Sequence, residues 1–184
     1  LAYSSGHLTT LTHSAGPVFQ LQYNGQGRIS RLTDHAGQNT DYEYDGTGQR
    51  LIRVTAPGGV VTAYTYEPSS AGAATHALAS ITFPDNTHRY FAHNAQGFLS
   101  EESRDGGTER IQYTYDRTGI VTIRDAQNAV TTMRVGPSGQ MLQMADPLGR
   151  PLTMTYNFDN NLTRLIGPAG DTTEMDYDAQ GNAT

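Results

Sequence analysis

The chain has 184 residues, no Cys and a formal net charge of −6. Phosphate binding needs clustered Lys and Arg, so this acidic chain is predicted to bind neither nucleic acid nor anionic membrane surfaces. The absence of Cys excludes a disulfide scaffold and a thiolate metal site, and no apolar run is long enough for this segment to insert into a membrane.

One short pattern recurs along the chain: a Tyr, then Asp or Asn, then two variable residues and a Gly. We call the residues at the Tyr position anchors: Tyr3, Tyr23, Tyr44, Tyr66, His93, Tyr115, Val135, Tyr156 and Tyr177. Successive anchors are 20, 21, 22, 27, 22, 20, 21 and 21 residues apart. A period near 21 residues predicts a stacked repeat architecture, with one array of about nine repeats over residues 1–184 that is truncated at both ends.

Each anchor is predicted to end a β-strand. The position two residues before the anchor is large and apolar or aromatic, as at Leu21, Tyr42, Tyr113 and Met154. Alternation with a period of two indicates a strand with one buried face, so we expect the anchors to be buried and the residues between them to face the other way.

A tight turn is predicted after each anchor. The next residue is Asp or Asn in six of the nine repeats, and these side chains accept hydrogen bonds from backbone N–H groups two residues later. A residue that tolerates positive φ follows, as a hairpin reversal requires. These predicted turn residues are Gly27, Gly48, Gly97, Gly119, Gly139, Asn160 and Gly181.

A second strand and a second turn complete each repeat. Apolar residues three apart, such as Ile29 and Leu32, would lie on opposite faces of a flat strand, so either a β-bulge shifts the phase or both faces are partly covered. Second turns are predicted at 34–37, 56–59, 104–107, 146–149 and 167–170, and a surface insertion is predicted near 68–75. The fold class is therefore all-β, built from antiparallel β-hairpins. With a five-residue connection, we expect Tyr23 opposite Ile29 and Tyr115 opposite Val121.

Four stretches carry a resemblance to a known family: "YNGQGRISRLTD", "YDGTGQRLIRVTAPGG", "VGPSGQMLQMADPLGRPLTMTY" and "YNFDNNLTRLIGPAGDTTEMDYDAQGN". They resemble the YD repeats of the RHS family. The resemblance implies a continuous spiral sheet, part of a hollow shell that encloses a C-terminal toxic or effector domain. It also implies a bacterial protein that is secreted, displayed at the cell surface or delivered as an effector. The expected partners are the remainder of the shell and the enclosed cargo domain, with self-association possible through open sheet edges.

The sequence offers no catalytic constellation, so no enzymatic activity, catalytic residue, cofactor or metal site is predicted. "DYEYDG" begins like an EF-hand, but Ile52 stands where a bidentate Glu is required. "DPLGR" resembles the Asp-Pro-x-Gly of the family's self-processing segment, but it falls on a second turn, so Asp146 is interpreted as a turn residue. A cell-surface carbohydrate-binding or adhesion module is the alternative function. The buried parity of the Tyr residues argues against it.

Overall fold

The computed structural model describes residues 1–14 and 18–184, and in these ranges the chain is all-β. The predicted fold class of antiparallel β-hairpin repeats is confirmed. The described chain divides into two compact units, Leu1–Phe98 and Leu99–Thr184. No helix in the described ranges is long and apolar enough to cross a membrane.

The first unit contains nine strands, and each described strand pairs antiparallel with the next. The strands are β1 (Ala2–Ser4), β2 (His7–Thr12), β3 (Val18–Tyr23), β4 (Ile29–Thr33), β5 (Asn39–Tyr44), β6 (Leu51–Ala56), β7 (Val60–Tyr66), β8 (Leu78–Thr82) and β9 (His88–His93). Two short 3₁₀ segments, Pro57–Gly59 and Ser69–Ala74, lie in the connections before and after β7.

The second unit contains eight strands in the same hairpin arrangement. The strands are β10 (Leu99–Arg104), β11 (Ile111–Tyr115), β12 (Ile120–Arg124), β13 (Val130–Val135), β14 (Met141–Ala145), β15 (Pro151–Tyr156), β16 (Leu162–Ile166) and β17 (Thr172–Glu174). A 3₁₀ segment, Asp105–Gly107, connects β10 to β11.

The two faces of each sheet differ in chemistry because side chains alternate along a strand. On the face that carries the anchors, Tyr42 lies opposite Val54, and Met154 lies opposite Leu165. On the other face Glu43 lies opposite Arg53. We call these the anchor face and the polar face. The anchor face is rich in aromatic and aliphatic side chains, and the polar face in Thr, Gln and charged residues.

A β-bulge explains the three-residue spacing of the second strands. Tyr23 lies opposite Ile29 as expected from the connection length, whereas the preceding residue, Gln22, lies opposite Arg31. Ser30 is therefore the extra residue, and it returns Leu32 to the anchor face, where it pairs with Leu21. The same shift occurs just before the anchors Tyr44, Tyr66, Val135 and Tyr156.

The anchors are less buried than expected. Tyr115 is 37% exposed and Tyr3 is 63% exposed, while Met154, at 8%, is among the few buried apolar residues. The main contacts of each described strand are with the strands before and after it in sequence. Side chains of the neighbouring strands therefore cover part of each anchor, and the rest of its surface stays accessible to solvent.

The insertion near 68–75 lies mostly at the surface, since residues 68–70, 72 and 73 are exposed. It forms the 3₁₀ segment Ser69–Ala74, and Ala74 is 4% exposed. A Cβ added to Gly97 would lie 2.6 Å from the carbonyl oxygen of Ala73. The small side chains of this stretch let its backbone pack closely against the turn that contains Gly97, so part of the insertion belongs to the packed interior.

Candidate functional site

The recurring structural element of the chain is a hydrogen bond from an anchor phenol to a backbone carbonyl in the preceding repeat. Within the part of the chain that the structure describes, six anchors make it. The donor and acceptor pairs, with oxygen–oxygen distances, are Tyr23 to Leu8 (2.7 Å), Tyr44 to Ile29 (2.9 Å), Tyr66 to Leu51 (2.7 Å), Tyr115 to Leu99 (2.7 Å), Tyr156 to Met141 (3.0 Å) and Tyr177 to Leu162 (2.9 Å).

The acceptor lies at or near the start of the second strand of the preceding repeat, close to the first turn. In the Tyr44 pair, the acceptor residue Ile29 is itself the cross-strand partner of the previous anchor, Tyr23. Each phenol therefore satisfies a carbonyl beside the turn of its predecessor. Burial raises the pKa of Tyr66 and of Tyr115 further above neutral pH, where both phenols are protonated and can donate.

Two anchors lack a phenol, and the structure replaces the bond differently at each. The Nδ1 atom of His93 lies 3.5 Å from the Oε1 atom of Glu67, and both side chains are largely shielded from solvent. At Val135 the backbone N–H donates to the carbonyl of Gly119 at 2.8 Å. At both anchors, an interaction with the preceding repeat is kept although the side chain has changed.

Four of the described turns that follow anchors share one hydrogen-bonding pattern, and they begin at Asn24, Asn94, Asp116 and Asp178. The Oδ1 atom of Asn24 accepts the N–H groups of Gln26 and Arg28, and that of Asp116 accepts those of Thr118 and Ile120. The structure places all seven predicted turn residues at positive φ, between 65° and 84°. The Asp or Asn side chain thus fixes the start of the reversal, and the residue that tolerates positive φ completes it.

Gly119 shows why a side chain is excluded from some of these turns. Its φ is 84°, and a Cβ at this position would lie 2.6 Å from the carbonyl oxygen of Val135. This carbonyl belongs to the strand that follows in the next repeat. The turn therefore needs Gly both for its backbone conformation and for the close approach of its neighbour.

Arg side chains reinforce the turns and connect them to the following repeat. The Nε atom of Arg50 donates to the Oδ2 atom of Asp45 at 2.8 Å, and its Nη1 atom reaches the carbonyl of Glu67 at 3.4 Å. The guanidinium also lies 5.7 Å from the centroid of the Tyr66 ring. The hydroxyl of Thr47, together with Arg50 and two backbone N–H groups, holds the pKa of Asp45 well below its ordinary value.

The acids that begin like an EF-hand are held apart by the strand geometry. Asp41 forms a two-pronged ion pair with Arg31, Glu43 approaches Arg53 at 3.9 Å, and Asp45 lies in the turn. Cross-strand ion pairs also join Arg110 to Glu101 and Arg164 to Glu174. In the part of the chain that the structure describes, no three His, Asp or Glu side chains are grouped to hold a metal ion.

Asp146 of "DPLGR" lies in a second turn. Its Oδ1 atom accepts the N–H groups of Leu148 and Arg150, each at 2.9 Å, and its Oδ2 atom pairs with the Arg150 guanidinium. The guanidinium and the backbone donors lower the pKa of this carboxyl group. The geometry is that of the other Asp turns, and all of its acceptor capacity is used within the turn.

Sequence analysis did not anticipate the phenol–carbonyl bonds. Alternation placed the anchors on one face, but it could not show what the hydroxyl contacts. A signal was present, since an anchor and the first residue of the preceding second strand are fifteen residues apart at Tyr44, Tyr66, Tyr156 and Tyr177. A donor repeated at a fixed offset from a backbone bulge indicates a bond between repeats.

Comparison with known proteins agrees with this architecture. Residues 23–51 match the family model described as RHS Repeat. The chain is 26% identical over 145 residues to the Double-stranded DNA deaminase toxin A of Burkholderia cenocepacia (strain H111), an alignment that covers 79% of this chain and 8% of that protein.

Two solved structures have a similar fold. A TcdB2-TccC3-Cdc42 crystal structure has a TM-score of 0.63 at 16% identity, and the Photorhabdus luminescens Tc holotoxin pore has a TM-score of 0.60 at 17% identity. Each match covers 91% of this chain and 10% of the other. The chain thus spans about a tenth of the length of the proteins that it matches. Residues 23–51 thus match an RHS repeat, and the repeats, their geometry and these matches support an RHS/YD-repeat assignment for the chain.

Proposed function

We propose that this segment forms part of the wall of a shell that encloses a C-terminal toxic or effector domain of the same protein. The observation that carries the proposal is the repeated bond from an anchor phenol to the preceding repeat, which joins successive hairpins into a wall. The described residues show no single position that stands apart from the repeats as a reaction centre. Two of the similar proteins are described as toxins, which supports the same proposal.

The wall is held together in two ways. Neighbouring strands pair through backbone hydrogen bonds, and the anchor phenol satisfies a carbonyl beside the turn, where the bulge interrupts regular pairing. A strand inside such an array leaves no unpaired edge. This combination suits a container, because a wall with few unpaired groups resists local opening.

We assign the anchor face to the enclosed volume and the polar face to the solvent. The polar face carries the cross-strand ion pairs, such as Arg31 with Asp41, which are compatible with water. The anchor face exposes part of its Tyr, Leu and Met side chains, and covering apolar surface is favourable at about 25 cal/mol per Å². An enclosed polypeptide would provide that cover.

Two cysteine variants in one strand test this assignment. Thr62, opposite Val54, lies on the anchor face, and Thr65, opposite Ser80, lies on the polar face of the same strand, β7. These 184 residues contain no Cys, so Thr62→Cys and Thr65→Cys each add one thiol to the segment, and peptide mapping identifies the labelled residue. In the full-length protein we expect a large maleimide reagent to label residue 65 quickly and residue 62 slowly. Faster labelling at residue 62 would reverse the assignment.

Limited proteolysis tests enclosure itself. We expect the domain that follows the repeats to resist protease in the full-length protein and to be digested when it is produced alone. Equal digestion in the two forms would contradict enclosure. Secretion or delivery of the bacterial protein is part of the same proposal, and fractionation of the producing cells and of their medium measures it.

The expected partners of the segment are the rest of its shell and the enclosed domain. We further expect the isolated segment to self-associate, because exposed strand edges can pair with another chain. Light scattering over a range of concentrations measures this. A monomer at every concentration would contradict the expectation.

A carbohydrate-binding or adhesion module is the second candidate. An open groove of about 380 Å³ beside the second turns of two repeats offers hydrogen-bonding groups. It is lined by Gln38, Asn39, Asp41, Thr55, Ala56, Pro57, Gly58 and Gly59. This lining does not include the aromatic ring on which a sugar would stack, so enclosure is preferred. Saturable binding on a glycan array that is lost in Asn39→Ala would favour the module instead.

A further inference from the structure

Asn24 and Gly25 form the single Asn-Gly pair of the sequence, and they open the first turn after Tyr23. The Oδ1 atom of Asn24 accepts the backbone N–H groups of Gln26 and Arg28, each at 3.0 Å. Gly25 is exposed, and nothing lies within 4 Å of the position where its Cβ would be. The side-chain amide of Asn24 is thus fixed next to its peptide bond to Gly25, an exposed residue without a Cβ.

This arrangement suits an intramolecular reaction. The backbone nitrogen of Gly25 attacks the Cγ atom of Asn24 and loses its proton, and a new C–N bond forms. The bond from Cγ to the amide nitrogen breaks, so that ammonia leaves and a cyclic imide remains. Water then opens the ring to give a carboxylate. The two N–H groups at Oδ1 face the negative charge that develops on this oxygen during the attack, as donors in an oxyanion hole do.

We propose that Asn24 is a site of spontaneous deamidation, and that it deamidates faster than the Asn residues of equivalent turns. Asn94 provides the comparison within the same unit. Its Oδ1 atom accepts the N–H groups of Gln96 and Phe98, each at 3.0 Å, in the same pattern as Asn24. The next residue is Ala95, whose Cβ hinders approach of the peptide nitrogen. At the reacting bond the two turns therefore differ by one methyl group, while their neighbours differ as well, with Gly97 close to Ala73 and Gly27 close to His7.

The aspartate product fits this turn because other repeats already use it. Asp116 and Asp178 accept the same pair of backbone N–H groups through Oδ1. Asp146 adds an ion pair with Arg150, four residues later, at 2.6 Å. Arg28 is likewise four residues after Asn24, and its guanidinium now lies 5.7 Å from the centroid of the Tyr44 ring. Deamidation therefore places a carboxylate at residue 24, four residues before the Arg28 guanidinium with which it can form an ion pair.

The isoaspartate product does not fit in this way. Ring opening at the other carbonyl adds one methylene to the main chain between the anchor and Gly27, whose φ of 75° closes the turn. The longer backbone cannot keep both N–H groups on one oxygen at their present distances. The site thus separates two outcomes, a turn with one more negative charge and a disrupted turn.

Peptide mapping by mass spectrometry tests the proposal on the full-length folded protein. After incubation in mildly alkaline buffer, we expect the Asn24 peptide to gain one mass unit on the order of tenfold faster than the Asn94 peptide, the ratio that a barrier difference of about 1.4 kcal/mol gives. Gly25→Ala should reduce the rate to that of Asn94. Equal rates at the two residues, or an unchanged rate in Gly25→Ala, would overturn the proposal.

The fit of the product has its own test. We expect Asn24→Asp to fold and to melt at the temperature of the natural chain or above it, whereas Asn24→Ala, which removes the acceptor oxygen, should melt lower. If Asn24→Asp melted as low as Asn24→Ala, the aspartate would not be accommodated in the turn. Isoaspartate content, measured enzymatically, should rise together with local protease sensitivity of residues 24–28.

Discussion

The phenol oxygen of Tyr66 lies 2.7 Å from the carbonyl oxygen of Leu51, fifteen residues earlier in the chain. Leu51 begins β6 and is the cross-strand partner of Tyr44, the preceding anchor. One hydrogen bond thus connects the start of one hairpin's second strand to the end of the next hairpin's first strand. Because five other anchors make the equivalent bond, its contribution can be measured at one position and compared at others.

Tyr66→Phe removes this bond and keeps the ring. We expect the free energy of local opening of β6 and β7 to fall by about 1 kcal/mol, the usual net value of such a bond. Hydrogen exchange of peptides from the two strands, in the protein that contains this segment, measures the loss. Tyr64→Phe is the matched control, since no hydrogen bond of the Tyr64 phenol is found among the described residues. Equal losses in the two variants would mean that the phenol bond adds nothing.

Asp45→Asn distinguishes the contribution of the ion pair to stability from that of the hydrogen bonds in the turn. The amide keeps an oxygen for the backbone N–H groups of Gln49 and Arg50 but loses the charge that faces the Arg50 guanidinium. We expect lower stability near neutral pH. Asp34→Asn, in a turn whose Oδ1 atom also accepts two backbone N–H groups, is the control and should change stability less. A larger effect at Asp34 would contradict the role of Arg50.

Low pH should lower the stability of the natural chain, because the Asp45 carboxylate becomes protonated. The folded pKa of Asp45 lies below its ordinary value of 3.8, so its contribution to stability is present above that value and is lost as the pH falls toward the folded pKa. The loss should be smaller in Asp45→Asn, which has no proton to gain. Melting curves recorded from neutral pH to below pH 4 measure the difference. Identical acid profiles for the natural chain and the variant would refute this assignment.

Two glycine variants distinguish backbone strain from steric conflict. Gly119 and Gly139 have φ of 84° and 81°, so an Ala at either position is strained by about 1 to 2 kcal/mol. A Cβ at residue 139 would have nothing within 4 Å, whereas one at residue 119 would lie 2.6 Å from the Val135 carbonyl oxygen. We expect Gly119→Ala to destabilise the chain clearly more than Gly139→Ala in chemical denaturation. Similar losses of stability would show that the strand containing Val135 can move away from the added Cβ without a loss of stability.

The anchor face and the polar face should respond differently to truncation. Met154 is 8% exposed and packs opposite Leu165, so Met154→Ala should cost about 2 to 5 kcal/mol. Thr155 is its exposed neighbour on the polar face, and Thr155→Ala should cost about 1 kcal/mol or less, the span of strand propensity. Thermal melts of the two variants measure the contrast. Comparable losses would mean that both faces are buried in the protein.

The hairpin array follows from short-range features of the sequence. Alternation placed Leu21 and Tyr23 on one face, and the Asn24 side chain with Gly27 set the reversal. The connection length then placed Ile29 opposite Tyr23. These are local constraints of pleat and turn geometry, so they can be derived without knowing what lies beside the hairpin.

The features that the sequence left undetermined depend on neighbours that are distant in the chain. The spacing of Ile29 and Leu32 was compatible with a bulge or with two covered faces, and the pairing of Gln22 with Arg31 decides for the bulge. Burial of the anchors was overestimated at Tyr115, because parity tells which face a side chain occupies and not what covers that face.

The insertion before β8 shows how the array accommodates added length. The interval from Tyr66 to His93 is 27 residues, yet Tyr66 still lies opposite Leu78 with the same bulge as in the shorter repeats. The extra residues are confined to a connection, where Ala74 packs and the strands keep their register. A gene of this kind can therefore change by gaining whole repeats or longer turns. A single-residue insertion or deletion within a strand would move the side chains that follow it in that strand to the other face, unless a β-bulge like the one at Ser30 absorbs it.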